Sequence, residues 1–226
     1  GVENDVARTI MGAIYRPLFL RDFPIVYTDL ESAEIIKYAA NAFLATKITF
    51  INEIAALCEA VGGDVKVVSK GIGLDNRIGK FFLHAGPGYG GSCFPKDTQA
   101  LVRIGEDAGA PMRITQTVVD VNASVKERMA EKVVDLCGGD VKGLTVAVLG
   151  VTFKPGTDDM RDAPSLTILP ALMKAGAAVR ITDPQGEKEG AALLPGASWH
   201  ADPYEAVTGA DVIVVLTQWN AFRGLD

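Results

Sequence analysis

Hydrophobic positions along the chain fall into three regimes. Residues Asn4 to Tyr15 carry apolar side chains at helical spacing, and residues 23–28 (FPIVYT) read as a short strand. One helix and one strand bury too little to make a core, so they are either the trailing edge of a preceding domain or a segment that packs on the next one. From Ser32 to about Ala60 there is neither Gly nor Pro, and Ala, Ile, Leu and Phe populate nearly every face of the implied helix. Such a helix is expected to be buried all round. Ser32, flanked by Glu31 and Glu34, is its expected start and Gly62-Gly63 its stop. It would run about 43 Å, too long and too apolar for a modest domain to cover alone. A second copy of the chain is the expected cover.

Shorter helices are expected at 64–70, 95–108 and 114–136, joined by glycine-rich connections. The pattern changes at Gly143. Residues 144–150 (LTVAVLG) form a buried-strand run, 164–175 a helix, and 178–183 and 211–216 two further strands. Strands alternating with helices imply a parallel, Rossmann-like sheet. The expected fold class is α/β, with an all-helical central domain over 31–138 followed by a Rossmann-like domain over 139–226, and with 1–30 left over from a preceding domain.

Composition narrows the partners. The chain has 226 residues, 48% hydrophobic and 22% charged, with a net charge of −6 spread along its length. That balance argues against nucleic acid. Polar residues Lys37, Asn41, Lys47, Asn52 and Glu53 interrupt the longest apolar stretch, so no membrane span is expected. The start has no basic, apolar or Arg-rich leader pattern. Cys58, Cys93 and Cys137 form no CxxC pair and are odd in number, which disfavours a disulfide framework or a zinc site and points to a reducing cytoplasm. His84 and His200 are the only histidines and lie far apart, a poor basis for a hydrolytic pair.

Residues 86–97 (GPGYGGSCFPKD) hold the most informative chemistry. Four glycines would let the backbone approach a ligand, and Pro95 suits the first turn of a helix. Cys93 would then stand at a helix N-terminus, where free amides and the dipole favour a thiolate. Asp97, four residues on, would lie one turn above the sulfur on the same face. A Walker loop is disfavoured, because Ser92-Cys93 follows the glycines where Gly-Lys-Ser/Thr would be needed. Cys58 and Cys137 read as structural. Lys37 and Asn41, spaced by four, share a face of the long helix and need partners if buried; alternatively Lys37 reaches solvent and Asn41 bonds to backbone. After the strand ending at Gly150, Lys154 and Arg161 precede a helix start and are placed for phosphates. The segment is no GxGxxG fingerprint, and Asp183 is either a ribose ligand or an ordinary turn opener.

Together, residues 37–45 (KYAANAFLA), 71–79 (GIGLDNRIG), 86–97, 153–162 (FKPGTDDMRD) and 216–219 (LTQW) resemble the nucleotide-sugar dehydrogenase family over nearly the whole chain. The Ser before Cys93 is similar to members acting on UDP-glucose; those acting on N-acetylated UDP-sugars tend to have His there. The resemblance implies an NAD-binding first domain, of which 1–30 would be a remnant. It further implies a central dimerisation domain like the C-terminal part of 6-phosphogluconate dehydrogenase, and a UDP-binding last domain. It implies twofold oxidation of UDP-glucose at C6 to UDP-glucuronate by NAD in a homodimer or higher oligomer, with GDP-mannose oxidation or a non-catalytic, dimeric nucleotide-sugar-binding module as alternatives. By the same match Cys93 is the nucleophile that captures the aldehyde, Asp97 handles water and protons, and Lys37 and Asn41 hold the oxyanion. Arg77 would reach the substrate, its own or a neighbouring subunit's. His84, Gly86, Gly88, Tyr89 and Gly90 would wrap the sugar nucleotide, Phe153 and Lys154 would touch it, and Lys96 and Arg161 would join Cys93 beside NAD. Many relatives carry lysine where His84 stands. The missing fingerprint glycines, and the missing Thr and Glu of the first domain, imply a fragment, also C-terminally incomplete, that is inactive alone.

Overall fold

The computed structural model describes residues 1–18 and 25–226. Helix α1, Asp5–Tyr15, is capped by Asn4, whose side chain accepts the Ala7 N–H at 2.8 Å. No residue of α1 is buried, and Val6, Ile10 and Ile14 form an exposed apolar stripe at helical spacing. The strand expected at 23–28 lies partly outside the described residues; 25–28 form no strand.

Helix α2, Leu30–Val61, is 32 residues long, about 48 Å. Its cap is Asp29 rather than Ser32: the carboxylate accepts the Ser32 N–H at 2.6 Å, and Ser32 lies within the first turn. Gly62, at φ +78°, ends the helix in the left-handed conformation that its lack of Cβ permits. The expectation of burial all round does not hold within one chain. Ala42, Ala45, Thr49, Ile51, Asn52 and Cys58 are buried, whereas Ile36, Phe43, Phe50 and Leu57 are 48–66% exposed. These four stand seven residues apart, a heptad stripe left exposed among the described residues.

Three more helices complete this half: α3 (Val65–Gly73), α4 (Phe94–Asp107) and α5 (Arg113–Leu136). Helix α4 packs along α2, and α5 packs on both. The far end of α5 then turns to the other half. Ala130 and Val133 join the core of the sheet, so the two halves share a helix.

The sheet is wholly parallel, in the order β3-β2-β1-β4, with β1 at Thr145–Leu149, β2 at Ala178–Thr182, β3 at Ser198–Trp199 and β4 at Val212–Val215. Central β1 pairs Val148 with Ile181 on one side and with Val214 on the other. Val146, Val148 and Ile181 are fully buried against Ile168, Leu169 and Leu172 of α6 (Ser165–Lys174). Short helices α7 (Glu187–Leu193) and α8 (Pro203–Val207) complete the alternation. Strand β3 and helices α7 and α8 are additional to the elements expected from the sequence.

At the carboxyl ends of the strands a single carboxylate braces three loops. Asp183 accepts N–H groups from Val151 (2.7 Å), Thr152 (3.2 Å), Gln185 (3.0 Å) and Gly186 (2.8 Å), and the Trp219 indole N–H at 3.2 Å. Of the two readings open for Asp183, the structure favours the turn-forming one, enlarged into a cross-brace.

Candidate active site

Phe94 begins α4 and Pro95, second in the helix, lacks an N–H that would have found no intrahelical partner there. Cys93 occupies the position before the helix and is exposed, its Sγ 3.8 Å from Ser92 Oγ. The first helical bond runs from the Asp97 N–H to the Cys93 carbonyl at 2.7 Å, which fixes acid and cysteine one turn apart. Asp97 points inward and is 3% exposed.

Its partners come from α2. Lys37 Nζ donates to Asp97 Oδ2 at 3.0 Å and Asn41 Nδ2 donates to the same oxygen at 2.7 Å, while Lys96 Nζ stands 3.8 Å from Oδ1. Burial alone would push the Asp97 carboxyl up. The bonds from Lys37 and Asn41, with the charges of Lys37 and Lys96, outweigh it and hold the group below the usual carboxylate range. The backbone-bond alternative for Asn41 is thereby replaced by a carboxylate partner 56 residues away.

Beside this cluster lies a cavity of about 430 Å³. Seven residues expected at a ligand line it: His84, Gly86, Gly88, Tyr89, Gly90, Phe153 and Lys154. So do Ile48, Phe81, Phe82 and Phe94, which the sequence reading missed. Ile48 could have been found, standing seven residues beyond Asn41 on α2 and hence near the same face. The aromatic walls suit a flat ring, and Lys154, with Nζ 5.1 Å from the Phe153 ring centre, is the cation among them. None of Cys93, Asp97, Lys37 and Asn41 lines the cavity; Phe94, the residue after Cys93, does.

Two further expected members do not line this cavity. Arg77 is held in the open by Asp75, with Nη2 2.6 Å from Oδ2, and does not reach its own chain's cavity. Arg161 is clamped to Asp159 through Nε (2.9 Å) and Nη2 (2.8 Å) and lines a separate depression. Its backbone carbonyl nevertheless accepts the Gly91 N–H at 2.8 Å, tying the glycine loop to the loop after β1.

The glycines serve packing more than ligand access. A Cβ on Gly90 would lie 2.3 Å from the Asp162 carbonyl oxygen, and one on Gly91, at φ +82°, 2.6 Å from the Phe153 ring. Only Gly86 faces open space among the four. The loop thus needs glycine because it lies flat against the sheet half of its own chain.

No helix among the described residues is long and apolar enough to cross a membrane, and none of their His, Cys, Asp and Glu side chains gather into a metal-binding group.

The chain belongs to the UDP-glucose/GDP-mannose dehydrogenase family: residues 31–124 match its central domain and 147–226 its UDP binding domain. It is similar to the UDP-glucose 6-dehydrogenase of Rhizobium meliloti (strain 1021), 55% identical over 97% of this chain and 50% of that protein. It is likewise similar to UDP-glucose 6-dehydrogenase TuaD of Bacillus subtilis (strain 168), 46% identical over 100% of this chain and 48% of that one. A UDP-glucose dehydrogenase from the hyperthermophilic archaeon Pyrobaculum islandicum superposes with a TM-score of 0.92, at 36% identity, over 100% of this chain and 52% of that structure. The chain spans about half the length of the curated relatives it matches.

Proposed function

We propose that the protein carrying this chain oxidises C6 of UDP-glucose twice, giving UDP-glucuronate, with Cys93 holding the half-oxidised sugar. The observation that carries the reading is the convergence of Lys37 Nζ and Asn41 Nδ2 on Asp97, one turn from Cys93 and beside the aromatic cavity. The names of the relatives favour UDP-glucose over GDP-mannose, and the Ser before Cys93 favours it over N-acetylated UDP-sugars.

In this reading the cavity takes the nucleotide, with its base and sugar against Phe81, Phe82 and Phe153, a phosphate at Lys154, and His84 with the 86–90 loop closing round it. C6 then lies at Cys93. Once the alcohol has become an aldehyde, the Cys93 sulfur adds to its carbonyl carbon and the oxygen takes the electron pair. Lys37 has three N–H bonds and Asn41 two, of which Asp97 engages one each. The remaining donors are free for the oxyanion, where fixed donors are worth roughly 10² to 10³ in rate each. Loss of hydride from that adduct leaves a thioester. Asp97, held ionised, accepts a proton from the water that cleaves it to carboxylate and free thiol.

NAD would supply the acceptor for both hydrides. The described residues do not by themselves build a dinucleotide site: no GxGxxG follows β1, and the carboxylate that could meet a ribose, Asp183, is already engaged by five N–H donors. Cys93, Lys96 and Arg161 form only the border such a cofactor would meet. The exposed stripe on α2 is the surface for a second copy, and Arg77, free of its own cavity, is the residue to reach the partner's.

The test is an NADH-formation assay of the full-length protein with UDP-glucose and GDP-mannose, beside the Cys93→Ser variant. UDP-glucose should be used, two NADH formed per sugar, and the variant should release no acid. Normal turnover by the variant would remove the covalent mechanism, and preference for GDP-mannose would remove the substrate.

A further inference from the structure

The loop from Gly86 to Gly91 forms one wall of the cavity, yet it belongs to no helix or sheet, and its polar backbone groups have few partners. Besides the Gly91 bond to the Arg161 carbonyl, side chains supply three bonds, and one residue makes two of them. Asn122, on α5, is 6% exposed. Its Oδ1 accepts the Tyr89 N–H at 2.8 Å and its Nδ2 donates to the Tyr89 carbonyl at 3.2 Å, so the side-chain amide grips both polar groups of a single residue. Only a side chain that accepts and donates from one planar group can do this; a carboxylate lacks the donor and an aliphatic chain lacks both.

The neighbouring chain is shaped to allow that grip. Gly88, at φ +103°, passes so close that a Cβ would lie 2.9 Å from Asn122 Oδ1. A second, weaker hold comes from Asn52 on α2, whose Oδ1 accepts the Gly86 N–H at 2.8 Å while its buried Nδ2 finds no partner among the described residues. Fixing Tyr89 fixes more than one wall residue. Its ring, 6% exposed, meets Phe94 edge-on with centroids 6.0 Å apart, and Phe94 adjoins Cys93.

We infer that Asn122 is a positioning residue for nucleotide-sugar binding: by clamping the Tyr89 peptide it sets the cavity wall relative to the start of α4. This rests on the proposed oxidation of UDP-glucose. Asn122 itself touches neither substrate nor cofactor, so its effect should fall on one kinetic constant.

The experiment compares wild-type full-length protein with Asn122→Ala, Asn122→Asp and Gly88→Ala, measuring KM for UDP-glucose, KM for NAD, kcat and the melting temperature. In the folded variants KM for UDP-glucose should rise about tenfold or more, as displaced binding groups do, while KM for NAD stays within about twofold. Asn122→Asp keeps the acceptor and loses the donor, and Gly88→Ala disturbs the same contact from the loop side. These two carry the test should Asn122→Ala fail to fold. A kcat that falls only with the folded fraction, at unchanged KM for UDP-glucose, would reduce Asn122 to an ordinary buried amide and overturn the inference. Equal rises in both KM values would do the same. A wild-type protein that leaves UDP-glucose untouched would remove the functional reading, and this inference with it.

Discussion

Asn41 Nδ2 lies 2.7 Å from Asp97 Oδ2, so an amide on the long helix and an acid on the short one meet over a gap of 56 residues in sequence. In the proposed mechanism the contact leaves one Asn41 N–H and two Lys37 N–H bonds for a developing oxyanion. Asn41→Ala is expected to lower kcat by about 10² to 10³ with little change in KM for UDP-glucose. Steady-state NADH formation checks this, and a variant that loses only binding would show that the donor faces the ground state.

Two carboxylates give the chain a signed response to acid. The Ser32 backbone N–H, then the Ser32 and Thr28 hydroxyls, bring Asp29 from 3.8 down to about 2. Asp97 is also depressed, its burial outweighed by Lys37, Asn41 and Lys96. A depressed folded-state pKa contributes stability that is complete above the unfolded value and is lost as pH falls through the folded one. The melting temperature should therefore hold from neutrality to about pH 4 as far as these groups act, then fall towards about pH 2. Asp29→Asn should flatten the lowest part of that profile, and an unchanged profile would contradict the capping role.

The glycine loop offers a paired test of packing. Gly90→Ala places a Cβ 2.3 Å from a backbone oxygen that cannot easily move. It should cost about 1–3 kcal/mol in urea unfolding. Gly86→Ala, with nothing near its Cβ, should stay within about 0.5 kcal/mol of wild type. Equal effects would mean that the loop does not lie against the sheet half as described.

Asp183→Ala leaves five N–H donors without their acceptor. Losing bonds to a charged group and stranding partly buried donors should cost about 3 kcal/mol or more. Trp219 reports the change directly, since its indole N–H is one of the donors: its fluorescence should shift in the folded variant.

The long elements were legible because their periodicity and caps agree. Asn4, Asp64, Gly62 and Pro95 each mark a helix boundary within a residue or two of where it falls. The two-residue strand Ser198–Trp199 has no apolar run to betray it, being paired through backbone to Arg180 and Ile181. Helix α8 did carry a signal, Asp202 before Pro203, a cap followed by proline in the first turn. At the site, Cys93 and Asp97 could be paired in advance because they stand one turn apart at the start of α4, whereas spacing alone left Lys37 and Asn41 open and only the family resemblance pointed to them. Asn122 could not be named: a buried amide in mid-helix declares that it needs a partner, while the identity of that partner depends on a loop 33 residues away.

Phe43 and Phe50 are 66% and 48% exposed on a helix that also carries Asn41. In the proposed dimer this stripe is the self-contact, so replacing both by Glu should give a monomer in sedimentation while leaving the circular dichroism unchanged. A dimer that survives would place the self-contact elsewhere.

Asn41 and Phe43 are two residues apart on one rigid rod, about 200° around its axis. Whatever clamps the outer side therefore sets the attitude of the donor on the inner side, with no hinge between them to absorb a tilt. Specific activity would then depend on protein concentration even where each copy holds its own cysteine, acid and cavity, and dilution would silence intact sites before it unfolded them.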